Sequence, residues 1–111
     1  MLGVEFDGTY FWATGSGAGA DPNKLYKFDA TGTLLATFDQ PVHSTGWGWR
    51  DLTFDGTYLY ASVDNFIDQI DPATGMYTGS GIPGPENPNR ALAYDPVTDH
   101  FWTANFRTPP L

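Results

Sequence analysis

The sequence contains no cysteine, so neither a disulfide framework nor a thiolate metal site is available to it. Basic residues are scarce: 5 Lys and Arg stand against 13 Asp and Glu, for a net charge of −8. Phosphate backbones are held by neutralising their charge with Lys and Arg, so no nucleic-acid partner is expected. The same charge balance disfavours an anionic membrane surface, and negative charge spread over turns reads as a solubility device. No apolar run approaches the length of a membrane span, so no membrane insertion is expected. Apolar residues nowhere recur at helical spacing over three turns, and aliphatics are few beside 2 Met and 4 Trp. A helical bundle is therefore excluded. Met1-Leu-Gly-Val-Glu5 has neither the basic n-region nor the apolar h-region of a signal peptide.

What the chain does contain is a repeat. Phe6-Asp-Gly-Thr-Tyr-Phe-Trp-Ala-Thr14 returns as Phe54-Asp-Gly-Thr-Tyr-Leu-Tyr-Ala-Ser62. It returns again, more loosely, as Tyr94-Asp-Pro-Val-Thr-Asp-His-Phe-Trp-Thr-Ala104. The spacing is 48 residues from Phe6 to Phe54 and 40 from Phe54 to Tyr94. Periods of about 40 to 50 residues built from short strands are the mark of β-propeller blades. Aromatics at 16%, 13 Gly and 9 Pro suit many short strands joined by turns.

Each unit divides at its turns. Asp7-Gly8 and Asp55-Gly56 read as two-residue hairpin loops in which glycine supplies positive φ. They join first strands (Leu2–Phe6, Asp51–Phe54) to second strands (Thr9–Thr14, Thr57–Val63). Third strands at Lys24–Phe28 and Phe66–Ile70 end in Asp29-Ala-Thr-Gly32 and Asp71-Pro-Ala-Thr-Gly75, where an Asp caps its own backbone. Fourth strands follow at Thr33–Phe38 and Met76–Ile82. The third unit supplies Arg90–Tyr94 and His100–Asn105. The expected fold is all-β: two full four-stranded antiparallel blades (about 1–42 and 50–84) and half of a third (88–107), in a single domain. Along the second strands, Tyr10, Trp12, Tyr58, Tyr60, His100 and Trp102 share one face. Phe11, Ala13, Leu59, Ala61, Phe101 and Thr103 share the other. Both faces are largely apolar, as they must be when each sheet is buried between two neighbours.

Two and a half blades leave an apolar face bare at each end. If each is on the order of 500 Å², it matches the largest patch expected on a soluble monomer. The expectation is closure by self-association, with a homodimer favoured because two copies supply six blade positions; domain swapping or the rest of a longer parent protein are the other routes.

The links from second to third strand and from fourth strand to the next unit emerge on one rim. That gathers Gly15-Ser-Gly-Ala-Gly-Ala20, the connector His43–Arg50 and the connector Pro83–Arg90. Trp47 and Trp49 lie between glycines on a loop, so they either present rings to a sugar or protein ligand or fold under the connector. Arg50 and Arg90 share one repeat position; in a closed ring they line the channel mouth and suit a carboxylate or phosphate. Alternatively each pairs with a nearby carboxylate such as Asp51, and Leu2 at the matching place of the first unit weakens the ring. His43, beside Ser44, and Asp64 complete the candidate ligand-binding set, whereas His100 reads as a packed core residue. No catalytic triad, EF-hand loop or phosphate-binding loop is present in the pattern, so no catalytic residue, metal or cofactor is assigned.

Phe54-Asp-Gly-Thr-Tyr-Leu-Tyr60, Ile70-Asp-Pro-Ala-Thr-Gly75 and Arg90-Ala-Leu-Ala-Tyr-Asp-Pro96 resemble the repeats of secreted or cell-surface bacterial β-propellers of YVTN and NHL type. The resemblance covers nearly the whole chain and implies a propeller fragment from a secreted or cell-surface parent. It implies a binding or scaffolding module with a protein or glycan ligand; the alternative is part of a propeller enzyme, such as a lyase or esterase. These part on whether His43, Arg50, Arg90 and Asp64 converge on one pocket.

Overall fold

The computed structural model describes residues 3–15, 22–85 and 87–104. Among these the regular elements are all strands: β1 (Val4–Phe6), β2 (Phe11–Gly15), β3 (Lys24–Phe28), β4 (Leu34–Asp39), β5 (Leu52–Phe54), β6 (Leu59–Val63), β7 (Phe66–Asp71), β8 (Met76–Pro83), β9 (Ala91–Asp95) and β10 (His100–Ala104). They form two four-stranded antiparallel sheets, β1-β2-β3-β4 and β5-β6-β7-β8, and the hairpin β9-β10. The protein is all-β, with the expected strand boundaries met to within two or three residues.

The Asp-Gly hairpins differ in one respect from their expected form. The loop residues are Gly8-Thr9, with Asp7 already paired: its amide donates to the Tyr10 carbonyl at 3.0 Å. The return bond goes to the side chain instead, since Asp7 Oδ1 accepts from the amides of Thr9 (2.8 Å) and Tyr10 (2.7 Å). Asp55 repeats this with Thr57 and Tyr58, both at 2.8 Å. The second strands therefore begin two residues late. Gly8 and Gly56 do adopt positive φ, 97° and 101°.

The aspartates of these turns tie the fold to pH. Thr31 and the Thr33 amide hold the Asp29 carboxyl below its usual range, and Thr98 and the Val97 amide do the same for Asp95. Burial alone would raise Asp7, but the Tyr10 amide, the Trp12 indole and the Thr9 amide outweigh it. Asp51 moves the other way, raised by burial against the amides of Leu92 and Leu52. Carboxyls whose pKa falls on folding contribute stability above the unfolded value of 3.8, lost as pH drops through the folded values. The raised Asp51 carboxyl instead costs stability once the pH rises past 3.8. Loss of the bonds that depress Asp7, Asp29 and Asp95 should lower the melting midpoint at about pH 2 relative to about pH 5, with Asp51 acting in the opposite direction. Thermal scans followed by circular dichroism check this, and an unchanged midpoint would contradict it.

The core lies in two layers on either side of the second sheet. Trp12 and Leu25 of the first sheet pack against Leu52, Leu59, Ala61, Val63 and Ile70, joined by Trp49 from the connector. On the opposite face Tyr60 and Ile67 pack against Leu92, with Tyr58 and Phe101 alongside. All five residues of β6 are consequently buried. His100 does not pack as expected: it is exposed, because among the described residues no strand covers the far side of β9-β10.

Candidate functional site

Two buried amides shape the connector between β4 and β5. Gln40 Nε2 donates to the Lys24 carbonyl at 2.8 Å, while its Oε1 accepts from the Ser44 hydroxyl and from the Trp49 amide (2.8 Å). Asn23 Nδ2 donates to the carbonyls of Ser44 (2.8 Å) and Gly46 (3.2 Å). Gly48 turns the chain at φ 70°, and a Cβ there would stand 2.5 Å from both amide side chains. Only glycine permits that approach. The result separates the two tryptophans: Trp47 is 62% exposed and Trp49 only 1%. One of the pair belongs to the core.

Trp49 reaches Asp68, a carboxylate in the middle of β7 that is 2% exposed. Asp68 Oδ2 accepts from the Trp49 indole at 2.8 Å and from His43 Nε2 at 2.6 Å. A carboxylate only accepts, so His43 donates from Nε2. The imidazole also meets Tyr77 edge-on, with centroids 5.0 Å apart. Beside this cluster is a cavity of about 290 Å³, lined by His43, Val63, Asp64, Asn65, Phe66, Asp68 and Tyr77.

Asp64, in the tight turn between β6 and β7, adopts a positive φ of 36°. Its Oδ1 is 3.6 Å from Arg50 Nη1, a buried nitrogen that has no hydrogen-bond partner. Asp51 is not the arginine's partner, because its carboxylate accepts the amides of Leu52 and Leu92, each at 2.9 Å. Arg90 follows a separate course. Its amide donates to the Ala104 carbonyl at 2.7 Å and its side chain is exposed, outside the cavity. The structure thus brings His43 and Asp64 to one cavity, sets Trp49 and Arg50 behind it, and leaves Trp47 and Arg90 apart. Leu2 and most of the Gly15–Ala20 segment lie outside the described residues.

Asp68 was the residue that motif reading passed over, since the aspartates were all assigned to turns. A signal existed: the repeat puts Asp68 where the first unit has Tyr26, each paired with the alanine of the preceding strand (Ala61 and Ala13). Among the described residues no three His, Asp or Glu side chains gather to hold a metal ion. Among the described residues no helix is long and apolar enough to cross a membrane. Models of known protein families, curated proteins and solved structures yield no match to this chain, so function rests on geometry alone.

Proposed function

We propose that the chain is a non-catalytic β-propeller module, each four-stranded sheet a blade and β9-β10 half a blade, that self-associates front to back to close the ring. What supports this is the exposure of residues at equivalent repeat positions. Trp12, Tyr60 and Trp102 all project forward; the first two are 0% and 8% exposed, whereas Trp102 is 66% exposed. Leu59 and Leu52, projecting backward from the second sheet, are 0% and 3% exposed, whereas their counterparts Phe11 and Val4 are 38% and 51% exposed. Phe6 meets Phe11 on that same bare face at 4.7 Å, beside an apolar groove of about 420 Å³. Each end of the molecule therefore presents the residue types that, one repeat inward, are sealed by a neighbour.

Closure leaves a rim of connectors for ligand, the binding or display role expected of such modules. Catalysis is the weaker reading: Arg50 is engaged with Asp64, and Arg90 lies outside the cavity that His43 and Asp64 share. Light scattering on a size-exclusion column tests the proposal. The expected mass is near twice the 12.2 kDa chain. A stable monomer would sink it.

A further inference from the structure

The cavity beside Asp68 is walled entirely by one chain, so what it binds does not depend on ring closure. Its size is at the lower end of the roughly 300–1,000 Å³ typical of small-molecule sites, enough for one ring rather than a polymer. The walls are of two kinds. Phe66, 47% exposed, and Tyr77 offer aromatic surface. Asp64, Asn65, Asp68 and His43 offer hydrogen-bonding groups. Both donors to the Asp68 carboxylate bond to Oδ2, and among the described residues no donor reaches Oδ1. Gly81 is paired with Asp68 across the strands, and a Cβ there would be 3.6 Å from this oxygen. An acceptor oxygen with an unused lone pair on a residue lining a cavity is a place for a donor from outside.

Charge narrows the class of that donor. An anion would meet two carboxylates, while Arg50, the near cation, is already beside Asp64. A cation would find Asp64 partly neutralised by Arg50, and Asp68 sharing its charge with the indole and the imidazole. A hydroxyl suits both sides: it donates to Asp68 Oδ1, and a second one, able both to donate and to accept, pairs with His43 Nδ1. The C–H face of a saturated ring packs on Phe66. We infer that this cavity is a binding site for a neutral, hydroxyl-bearing ring, the chemistry of a single pyranose unit. The sugar-binding surface thus moves from the Trp47–Trp49 loop to the wall of β7 and β8.

Trp49 reports on the site, because its indole N–H shares the carboxylate with the bound ring. Titrating the ¹⁵N-labelled chain with the methyl glycosides of glucose, galactose and mannose should shift the Trp49 indole resonance saturably for at least one of them. The expected Kd is about 1–10 mM. Phe66→Ala should raise it about tenfold by removing the packing surface, with the remaining amide spectrum retained. The inference is overturned if none of the three glycosides shifts the resonance, or if only tetramethylammonium or glucuronate does so. An unchanged Kd in Phe66→Ala overturns it equally.

Discussion

Trp12→Ala should lower the stability of the fold by about 3–5 kcal/mol, the usual cost of removing a buried large aromatic. Trp12 is 0% exposed and sits at the centre of the layer between the two four-stranded sheets. Three kinds of contact go with it. Its indole N–H donates to Asp7 Oδ2 at 2.8 Å, its ring stacks on Phe38 at 6.1 Å, and the Lys27 ammonium stands 5.3 Å from its centroid. The lost indole bond also loosens the turn, since Asp7 organises the first hairpin through its other oxygen. Domains are stable by only about 5–15 kcal/mol, so this one change removes a large share of the total. Trp47→Ala is the control: at 62% exposure it should shift stability by no more than about 0.5 kcal/mol. Urea titrations followed by circular dichroism separate the two. Equal midpoints for both variants would mean that the inter-sheet layer does not carry the fold.

Trp102→Asp and Phe11→Asp should each abolish the closed pair of chains, and mixing them should restore association in part. An apolar face of about 500 Å² corresponds to roughly 12 kcal/mol of unrealised burial. Association costs of about 4–15 kcal/mol for lost freedom stand against it. A margin that small cannot absorb a carboxylate placed in an apolar contact, a penalty of about 2–3 kcal/mol or more and hence a hundredfold or so in Kd. The two substitutions block opposite ends. A Trp102→Asp chain keeps its back face and a Phe11→Asp chain keeps its front, so the mixture has one intact interface and should form an open heterodimer. Sedimentation velocity distinguishes the three samples. If neither single variant changes the mass, the contact lies elsewhere.

The turns and the strands were legible because their causes are local. An aspartate before a glycine bonds to the amides two and three residues on, whatever the rest of the chain does, and Asp7 and Asp55 do so alike. The inward and outward sides of each strand followed from period-two alternation. What composition and spacing could not reach were the fates of connector side chains. Trp47 and Trp49 flank the same glycine in sequence; the amides of Asn23 and Gln40, packed against Gly48, decide which of them is buried. Arg50 and Arg90 are equivalent by repeat, yet Arg50 stands beside Asp64 whereas the Arg90 side chain is exposed. Asp68 was hidden for a related reason. A carboxylate in a strand looks like a solvent-facing residue until the distant connector supplies an indole and an imidazole above it.

Asp51 shows how neighbouring sheets are joined. One oxygen accepts from its own strand at Leu52, and the other accepts from Leu92 in the next unit, each at 2.9 Å. A link of this kind sets the rotation from one unit to its successor as well as their spacing. For a contact that runs front to back, that rotation matters as much as affinity. Where the steps add up to a full circle, growth stops at a finite particle with no free end. Where they fall short or overshoot, the same faces and the same contacts extend a filament without limit. Under the proposed ring closure, the carboxylate of Asp51 would thus help to set particle size from a place far from the faces proposed to meet.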